Sequence, residues 1–221
     1  MNAKSLSGYL IAIGPVLMMA TWFFIWPALI GEGAPENAIG AELVRANIES
    51  GMDNISLTVL VATLAGGSML AMMLGFTLWA RSLQGEGKKG ALLATIASIT
   101  IPVAAAGFML GMEFNFAAAD AWADKDFDNA LIVGAVGEYL NGAEPSFSWT
   151  FVSLSLVFIG IASFLQSNDV ISKTIAGLFA VIMLITGILN FANINADPLF
   201  MLWMLINIAV GINLIRLKNL S

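Results

Sequence analysis

The sequence predicts an all-α fold, a polytopic membrane bundle of six transmembrane helices that forms one integral membrane domain over residues 1–221. Three observations predict this class. Of the 221 residues, 59% are hydrophobic and only 11% are charged, whereas soluble domains carry about 25% charged residues. The mean hydropathy is +0.88. The apolar residues also gather into runs of about 20, the length that a helix needs to cross a bilayer.

Six apolar runs are long enough to be membrane spans. They lie at about 8–30, 54–80, 90–113, 147–166, 171–191 and 198–215. The first run follows Lys4 and resembles a secretory signal, but it is too long for the apolar core of one. Pro35 also directly follows the best cleavage position, near Ala34. We therefore expect the first helix to be retained.

The positions of Lys and Arg predict the orientation of the chain. Seven of the nine bases fall on one side of the six-span arrangement, with two acids, while thirteen acids and two bases fall on the other. The basic side is predicted to be cytoplasmic and to hold both termini, as in a prokaryotic plasma membrane. The acidic surface is extracytoplasmic in this interpretation and gives no reason to expect a nucleic-acid partner.

Two amphipathic surface helices are predicted on the acidic side. The first begins at Pro35 and ends at Gly51. The second covers residues 129–140, and its large apolar side chains occupy one broad arc, which we expect to cover the bundle. These side chains are Leu131, Ile132, Val133, Ala135, Val136, Tyr139 and Leu140. Asn129, Gly134, Gly137 and Glu138 fall mainly on the other arc.

Asp124, Asp126 and Asp128 alternate as at the start of a calcium-binding loop. Such a loop then requires a glycine at the turn and a glutamate at its end. Here Asn129 holds the turn position and Ala135 the final one. The sequence favours a second interpretation, in which Asp126 or Asp128 caps the following helix. The calcium site stays as the alternative.

The chain has no Cys and no His. Disulfides, thiolate chemistry, imidazole metal sites and His-ligated haem are therefore excluded. No cofactor is predicted. Met69, Met72 and Met73 in the second span are interpreted as packing residues rather than as a soft-metal site, because methionine fills irregular gaps well.

Polar residues near the outer ends of the spans form the candidate ligand site. One interpretation places Glu113 opposite an asparagine cluster in a pocket that opens outward, since ionisable residues at membrane depth are often functional. The asparagines are Asn54, Asn190, Asn193 and Asn207. The other interpretation, which the sequence favours, leaves Glu113 in water and uses the asparagines as helix caps or interhelical bonds. Asn207 and Asn213, inside the last span, are expected to bond to other helices.

Several segments resemble, in their layout, an uncharacterised prokaryotic family of six-helix membrane proteins that is known as a domain of unknown function. They are RANIESGMDN, LWARSLQ, SLSLVFIGIASFLQ, AGLFAVIMLITGIL and MLWMLINIAVGINLIRLK, and together they cover nearly the whole chain. QSNDVISK stands where the family has an arginine-containing turn. The resemblance implies a six-helix fold and no established activity, so it assigns no catalytic residues.

These features predict a non-enzymatic membrane protein that binds partners through its helix faces and its acidic outer surface. It would act as an accessory subunit of a membrane-protein partner or as a homo-oligomer in the lipid bilayer. The alternative is a small transporter or channel for a cation or small polar solute, using Glu113 and the asparagines. A lipid-modifying enzyme would need an acid–base pair, for which only Glu113 and Asp197 are available.

Overall fold

A computed structural model describes residues 3–31, 35, 38, 40–52, 54–141, 146–166, 171–192 and 197–216. Every regular element over these residues is helical, which confirms the all-α prediction. Helix α1 (Ala3–Ala20) continues through a π-helical turn (Thr21–Ile25) into the short α2 (Trp26–Leu29). The other helices are α3 (Gly40–Met52), α4 (Ile55–Ser82), α5 (Ala91–Ala123), α6 (Phe127–Asn141), α7 (Phe147–Gln166), α8 (Lys173–Phe191) and α9 (Asp197–Arg216).

Four helical segments are long and apolar enough to cross a membrane. They are Ala3–Leu29, Ile55–Ser82, Ala91–Ala123 and Phe147–Gln166. Two shorter apolar helices follow, at Lys173–Leu189 and Met201–Arg216. The membrane character that the composition predicts therefore has a structural counterpart in at least four helices.

The six long helices pack in chain order around a closed ring. Helix α1 contacts α4, α4 contacts α5, α5 contacts α7, α7 contacts α8, α8 contacts α9, and α9 returns to α1. Neighbours that follow one another in sequence are expected where the connections are short. The first and last of these helices close the ring.

Large side chains fill the centre of the ring. Phe76 and Trp79 of α4 contact Phe179 of α8, with ring centroids 6.3 and 5.3 Å apart. Trp149 of α7 contacts Trp203 of α9 at 5.4 Å. These contacts join helices that are not neighbours around the ring. Since an aromatic side chain buries about 150–250 Å², they supply much of the packing across the bundle.

Glycines bring α1 close to both of its neighbours. A Cβ atom at Gly211 would lie 2.6 Å from both Ala12 N and Gly8 O, and one at Gly75 would lie 2.8 Å from Ile11 Cγ1. The three helix backbones therefore approach one another more closely than larger residues permit.

Three consecutive small residues of α4, Gly66, Gly67 and Ser68, include two that pack closely against neighbouring helices. A Cβ atom at Gly66 would lie 2.6 Å from Met112 Sδ of α5. The carbonyl oxygen of Ser68 lies 3.1 Å from the position of a Cβ atom at Gly14. Gly67 instead faces outward, and its Cβ position has no atom within 4 Å.

Helix α5 is longer than predicted. The third span was expected to end at residue 113, whereas α5 continues to Ala123. The added segment, FNFAAADAWA, is rich in alanine, the residue with the highest helix propensity. At 1.5 Å per residue it projects about 15 Å beyond Glu113, and α3 and α6 pack against α5.

The face of α6 that packs against α5 is centred on small residues and coincides only in part with the predicted apolar arc. Its buried residues are Ala130, Gly134 and Gly137, whereas Ile132, Val136 and Tyr139 are 64%, 39% and 76% exposed. The expectation that the broad apolar arc covers the bundle is therefore wrong for Ile132, Val136 and Tyr139, whereas Leu131, Val133 and Ala135 pack against buried residues of α3, α5 and α6.

Steric fit explains why the glycine side of α6 is buried. A Cβ atom at Gly134 would lie 2.5 Å from Val44 Cγ1, and one at Gly137 would collide with Asn115 Oδ1. Only the glycine side of α6 lets the helix approach both α3 and α5 this closely. Close approach of the backbones thus decides which side of α6 is buried, and large apolar side chains are left outside.

We call α3, the turn at residues 124–126, α6 and the end of α5 from Glu113 to Ala123 the cap. The end of the bundle that carries it is the cap end. The opposite end, with the turn at residues 83–90, is the turn end. Side-chain amides join the helices at the turn end, because Gln166 Nε2 donates to Leu83 O at 2.7 Å and Gln84 Nε2 donates to Ser98 Oγ at 2.7 Å.

We expect Gly211→Val to lower the free energy of unfolding by about 1–3 kcal/mol, because the added atoms meet backbone of α1 that cannot move aside. Unfolding in detergent micelles, followed by circular dichroism, measures the change. The control is Gly67→Ala, which should leave stability unchanged or raise it by up to about 1 kcal/mol, since the site is open and helical. Equal losses in both variants would contradict the close α1–α9 contact.

Candidate functional site

The cap has a small core of its own, separate from the centre of the ring. Val44 and Ile48 of α3 are buried together with Ala118 of α5 and Ala130 of α6. The side chains packed around them are Met52, Ala121, Trp122, Leu131, Val133 and Ala135. Three helices are therefore fixed against one another at the cap end.

Polar contacts reinforce the cap. Asn47 Nδ2 of α3 donates to Glu138 Oε1 of α6 at 3.3 Å, and Asn141 Nδ2 of α6 donates to Phe108 O of α5 at 3.4 Å. Arg45 pairs with Glu49 at 2.9 Å and lies over the ring of Trp122, 5.7 Å from its centroid. Because the ion pair is exposed, it adds little to stability, and the packing holds the cap.

The cap is strongly acidic. It carries eight carboxylates and two bases, a net charge of −6. The acids are Glu42, Glu49, Glu113, Asp120, Asp124, Asp126, Asp128 and Glu138, and the bases are Arg45 and Lys125. Such a surface attracts cations and basic segments of other proteins and repels acidic ones.

Asp124 and Asp126 lie in the tight turn between α5 and α6, Asp128 lies in the first turn of α6, and all three are exposed. Asp126 directly precedes α6, and its carbonyl oxygen accepts the first helical bond from Ala130 N at 3.0 Å. Its carboxylate accepts a bond from Asn129 Nδ2 at 2.6 Å, and Asp128 lies in the first helical turn. Both carboxylates thus lie at the positive end of the α6 dipole.

No group of three Asp or Glu side chains among the described residues is arranged to hold a metal ion. The helix that the sequence predicts at residues 129–140 is present as Phe127–Asn141. The geometry therefore favours the interpretation of Asp126 and Asp128 as helix-start residues over the calcium loop.

Glu113 faces away from the centre of the ring. The buried residues of α5, among them Ala104, Gly107 and Gly111, recur at helical spacing along one side. Glu113 follows Gly111 by two positions, which is about 200° around the helix, and its side chain is exposed.

Asn54 has a local structural role at the start of α4. Its side chain is exposed and accepts a bond from Leu57 N at 3.2 Å, so it is the N-cap of that helix. This matches the interpretation in which asparagines cap helix ends.

Part of the predicted asparagine cluster lies beyond what the structure describes. Asn193 lies outside the described residues, and the same holds for the side chains of Asn190 and Asp197. The pairing of Glu113 with Asp197 that a lipid-modifying enzyme would need stays a prediction.

Asn207 and Asn213 of α9 differ in their surroundings. Asn213 Oδ1 accepts a bond from Ser172 N at 3.0 Å, just before α8, as expected of an interhelical bond. Asn207 is completely buried, and neither of its amide atoms has a hydrogen-bond partner among the described residues. The structure thus brings none of the described candidates together, since Glu113 and Asn54 are exposed while Asn207 lies in the core.

Two polar residues of the cap lie in an interhelical contact that was not predicted from the sequence. Asn115 and Asn141 face the glycines of the α5–α6 contact, where a Cβ atom at Gly111 would lie 2.7 Å from Asn141 Cγ. The sequence contained one indication of this close contact, namely the spacing of the small residues Gly134 and Gly137. We interpreted that spacing as part of the polar side of α6.

Comparison of the chain with models of known protein families, with curated proteins and with solved structures found no match. The resemblance to a six-helix family of unknown function therefore stays a prediction.

We expect calcium to leave the thermal stability of the protein unchanged, because the aspartate turn lacks a convergent set of oxygen ligands. The measurement is the melting temperature in detergent, with calcium and with a chelator. Asp124→Ala/Asp126→Ala/Asp128→Ala serves as the variant and should be equally insensitive to the ion. A rise in melting temperature with calcium that this variant abolishes would restore the calcium loop.

Proposed function

We propose that this chain is a six-span protein of a prokaryotic plasma membrane. Helices α8 and α9 complete the ring, and like the longer helices they carry large apolar side chains on the outside. The exposed ones are Leu178, Val181, Leu184, Ile185, Ile188 and Phe191 of α8, and Met201, Leu202, Leu205 and Ile212 of α9. Water would solvate this surface poorly, whereas lipid tails would cover it.

In this proposal the cap lies outside the cell and both termini lie in the cytoplasm. The bases at the turn end support this orientation, since Lys and Arg accumulate in cytoplasmic loops. Arg81, Lys88, Lys89, Lys173 and Arg216 lie at that end. The acidic cap then faces the extracytoplasmic side.

The absence of Cys from the sequence permits a direct test of topology. We expect Lys125→Cys, in the exposed turn of the cap, to react in intact cells with a maleimide that cannot cross membranes. Glu86→Cys, in the exposed turn at the opposite end, should react only after the membrane is opened. Labelling of Glu86→Cys in intact cells would contradict the proposed orientation.

We further propose that the protein is a non-enzymatic subunit that binds another membrane protein through the cap. The observation that carries this proposal is the apolar stripe of α6, formed by Ile132, Val136 and Tyr139. Their spacing of four and three residues places them along one side of the helix. The partner in this proposal covers the stripe with an apolar segment.

The charge of the cap favours a partner of a particular chemistry. Asp124, Asp126 and Asp128 lie at the start of the helix that carries the stripe. A second copy joined through the same face would bring acidic groups against acidic groups. We therefore propose a partner with a basic and apolar extracytoplasmic segment, and not a dimer through the cap.

A transporter or channel draws less support from the geometry. It would use Glu113 and the asparagines together, but Glu113 is exposed on the side of α5 that faces away from the ring, and Asn54 caps a helix.

We expect a photo-crosslinking residue at position 139, in the protein in its native membrane, to form an adduct with a different membrane protein. Mass spectrometry should identify a partner with a basic extracytoplasmic segment, and high salt should weaken the adduct because the attraction is partly electrostatic. Ile132→Ser/Val136→Ser should abolish it by removing the apolar contact.

The matched control for this experiment is Ile132→Val/Val136→Ile, which keeps the stripe apolar and should keep the adduct. A protein that stays a lone monomer without any adduct contradicts the proposed function. An adduct of two identical chains contradicts the hetero-partner and supports self-association.

A further inference from the structure

Asn207 is a polar side chain in the largely apolar core of the ring. It is completely buried, and both amide atoms lack a partner among the described residues. Buried polar side chains are nearly always bonded, to protein or to a bound molecule. The side chain therefore points to a ligand at this position.

The depth of Asn207 in the bundle follows from the glycine contacts. Gly75 of α4 and Gly211 of α9 both lie against the same turn of α1, between Gly8 and Ala12. Asn207 precedes Gly211 by four residues and Met72 precedes Gly75 by three. Since both helices run antiparallel to α1, Asn207 and Met72 lie within about 2 Å of the same depth.

Four more methionines lie near this depth. Met73 follows Met72 directly, and Met69 and Met204 lie less than one turn nearer the cap end, on α4 and α9. Phe179 of α8 packs against Phe76 and Trp79 of α4, and the two helices are antiparallel. Because Met183 lies one turn beyond Phe179, Met183 is level with Met72 and Met73.

We call Met69, Met72, Met73, Met183 and Met204 the methionine layer. Each of the five is at most 2% exposed, and all belong to the core at the centre of the ring. Three helices, α4, α8 and α9, thus place buried methionines near the depth of Asn207. The sequence alone indicated only the three methionines of α4, and there it favoured packing over a soft-metal site.

Water fits this position poorly. A buried water molecule normally makes about three hydrogen bonds to polar groups. Among the described side chains near this depth, the hydroxyl of Ser68 already donates to Leu64 O within its own helix, at 2.8 Å. The indole Nε1 of Trp79 also has no partner within the described part of the chain, but Trp79 follows Met72 by seven residues and so lies about two turns nearer the turn end. A water molecule beside Asn207 would meet mainly thioether sulfurs, which are weak acceptors.

A soft monovalent cation fits the same surroundings better. Thioether sulfur is a ligand that Cu(I) prefers, and the carboxamide oxygen of Asn207 adds a further donor. Phe76 and Phe179 lie about one turn nearer the turn end, and their aromatic faces attract positive charge. Hard cations such as Ca²⁺ or Mg²⁺ require several oxygen ligands instead.

We propose that the methionine layer and Asn207 form a binding site for a soft monovalent cation of the Cu(I) class in the centre of the helix ring. This site is independent of the partner-binding function of the cap.

Ag(I) is the probe for the experiment, because it has the ligand preference of Cu(I) without its redox chemistry. The detergent-purified full-length protein is equilibrated with Ag(I) in chloride-free buffer and passed through a desalting column, and the retained silver is measured. We expect one Ag(I) per chain in the wild type. The double variant Met72→Leu/Met183→Leu should bind at least tenfold more weakly.

The matched control is Met201→Leu, which removes an exposed methionine from the outer side of α9 and should retain silver like the wild type. Leucine conserves the volume of methionine, so these variants are expected to fold, and circular dichroism and elution volume check this. Silver should raise the melting temperature of the wild type but not of Asn207→Leu, and K⁺ should raise neither.

Two outcomes would overturn the site. One is a wild-type protein that retains no Ag(I). The other is a folded double variant that retains as much Ag(I) as Met201→Leu, which would place the silver elsewhere on the chain.

Discussion

The close contact between α1 and α9 at Gly8 and Gly211 closes the ring on which the rest of the structure depends. Apolar surfaces gain little from meeting one another when lipid is the alternative, so helices in a membrane associate through close packing and interhelical bonds. Small residues on α1 supply that packing toward both α4 and α9. Once the ring is closed, the aromatic side chains of α4, α7, α8 and α9 meet at its centre instead of facing lipid.

The cap follows the same physical rule with a different consequence. Gly134 and Gly137 let α6 lie against α3 and α5 at a distance that its larger residues would prevent. This arrangement leaves Ile132, Val136 and Tyr139 exposed beside a cluster of carboxylates. At roughly 25 cal/mol per Å² of apolar surface, covering the stripe would release free energy. In the proposed function an apolar partner surface covers the stripe, and the charge of the cap restricts which surface that is.

The centre of the ring and the cap place polar groups in opposite environments. In the cap, carboxylates face outward and the asparagines of the helix contacts are bonded to neighbouring helices. In the ring, Asn207 is enclosed by side chains that offer it no strong partner among the described residues. An unpaired buried amide costs about 1–3 kcal/mol. A sequence that keeps this group inside an otherwise apolar core bears that cost unless a bound ligand offsets it.

Composition and the spacing of apolar runs were enough to predict the helices and their order. The hydrophobic length of a helix and the residues that start and end it are local properties of the chain. The exposed acidic turn, the role of Asn54 as the N-cap residue of α4 and the helix after Asp126 were predictable for the same reason. The buried face of α6 and the extra length of α5 were not, since a helical wheel ranks residues by polarity and contains no information about how closely two backbones can approach. That buried methionines of α4, α8 and α9 lie near the depth of Asn207 was likewise decided only by the tertiary structure, because depth and burial depend on how the helices pack around the ring.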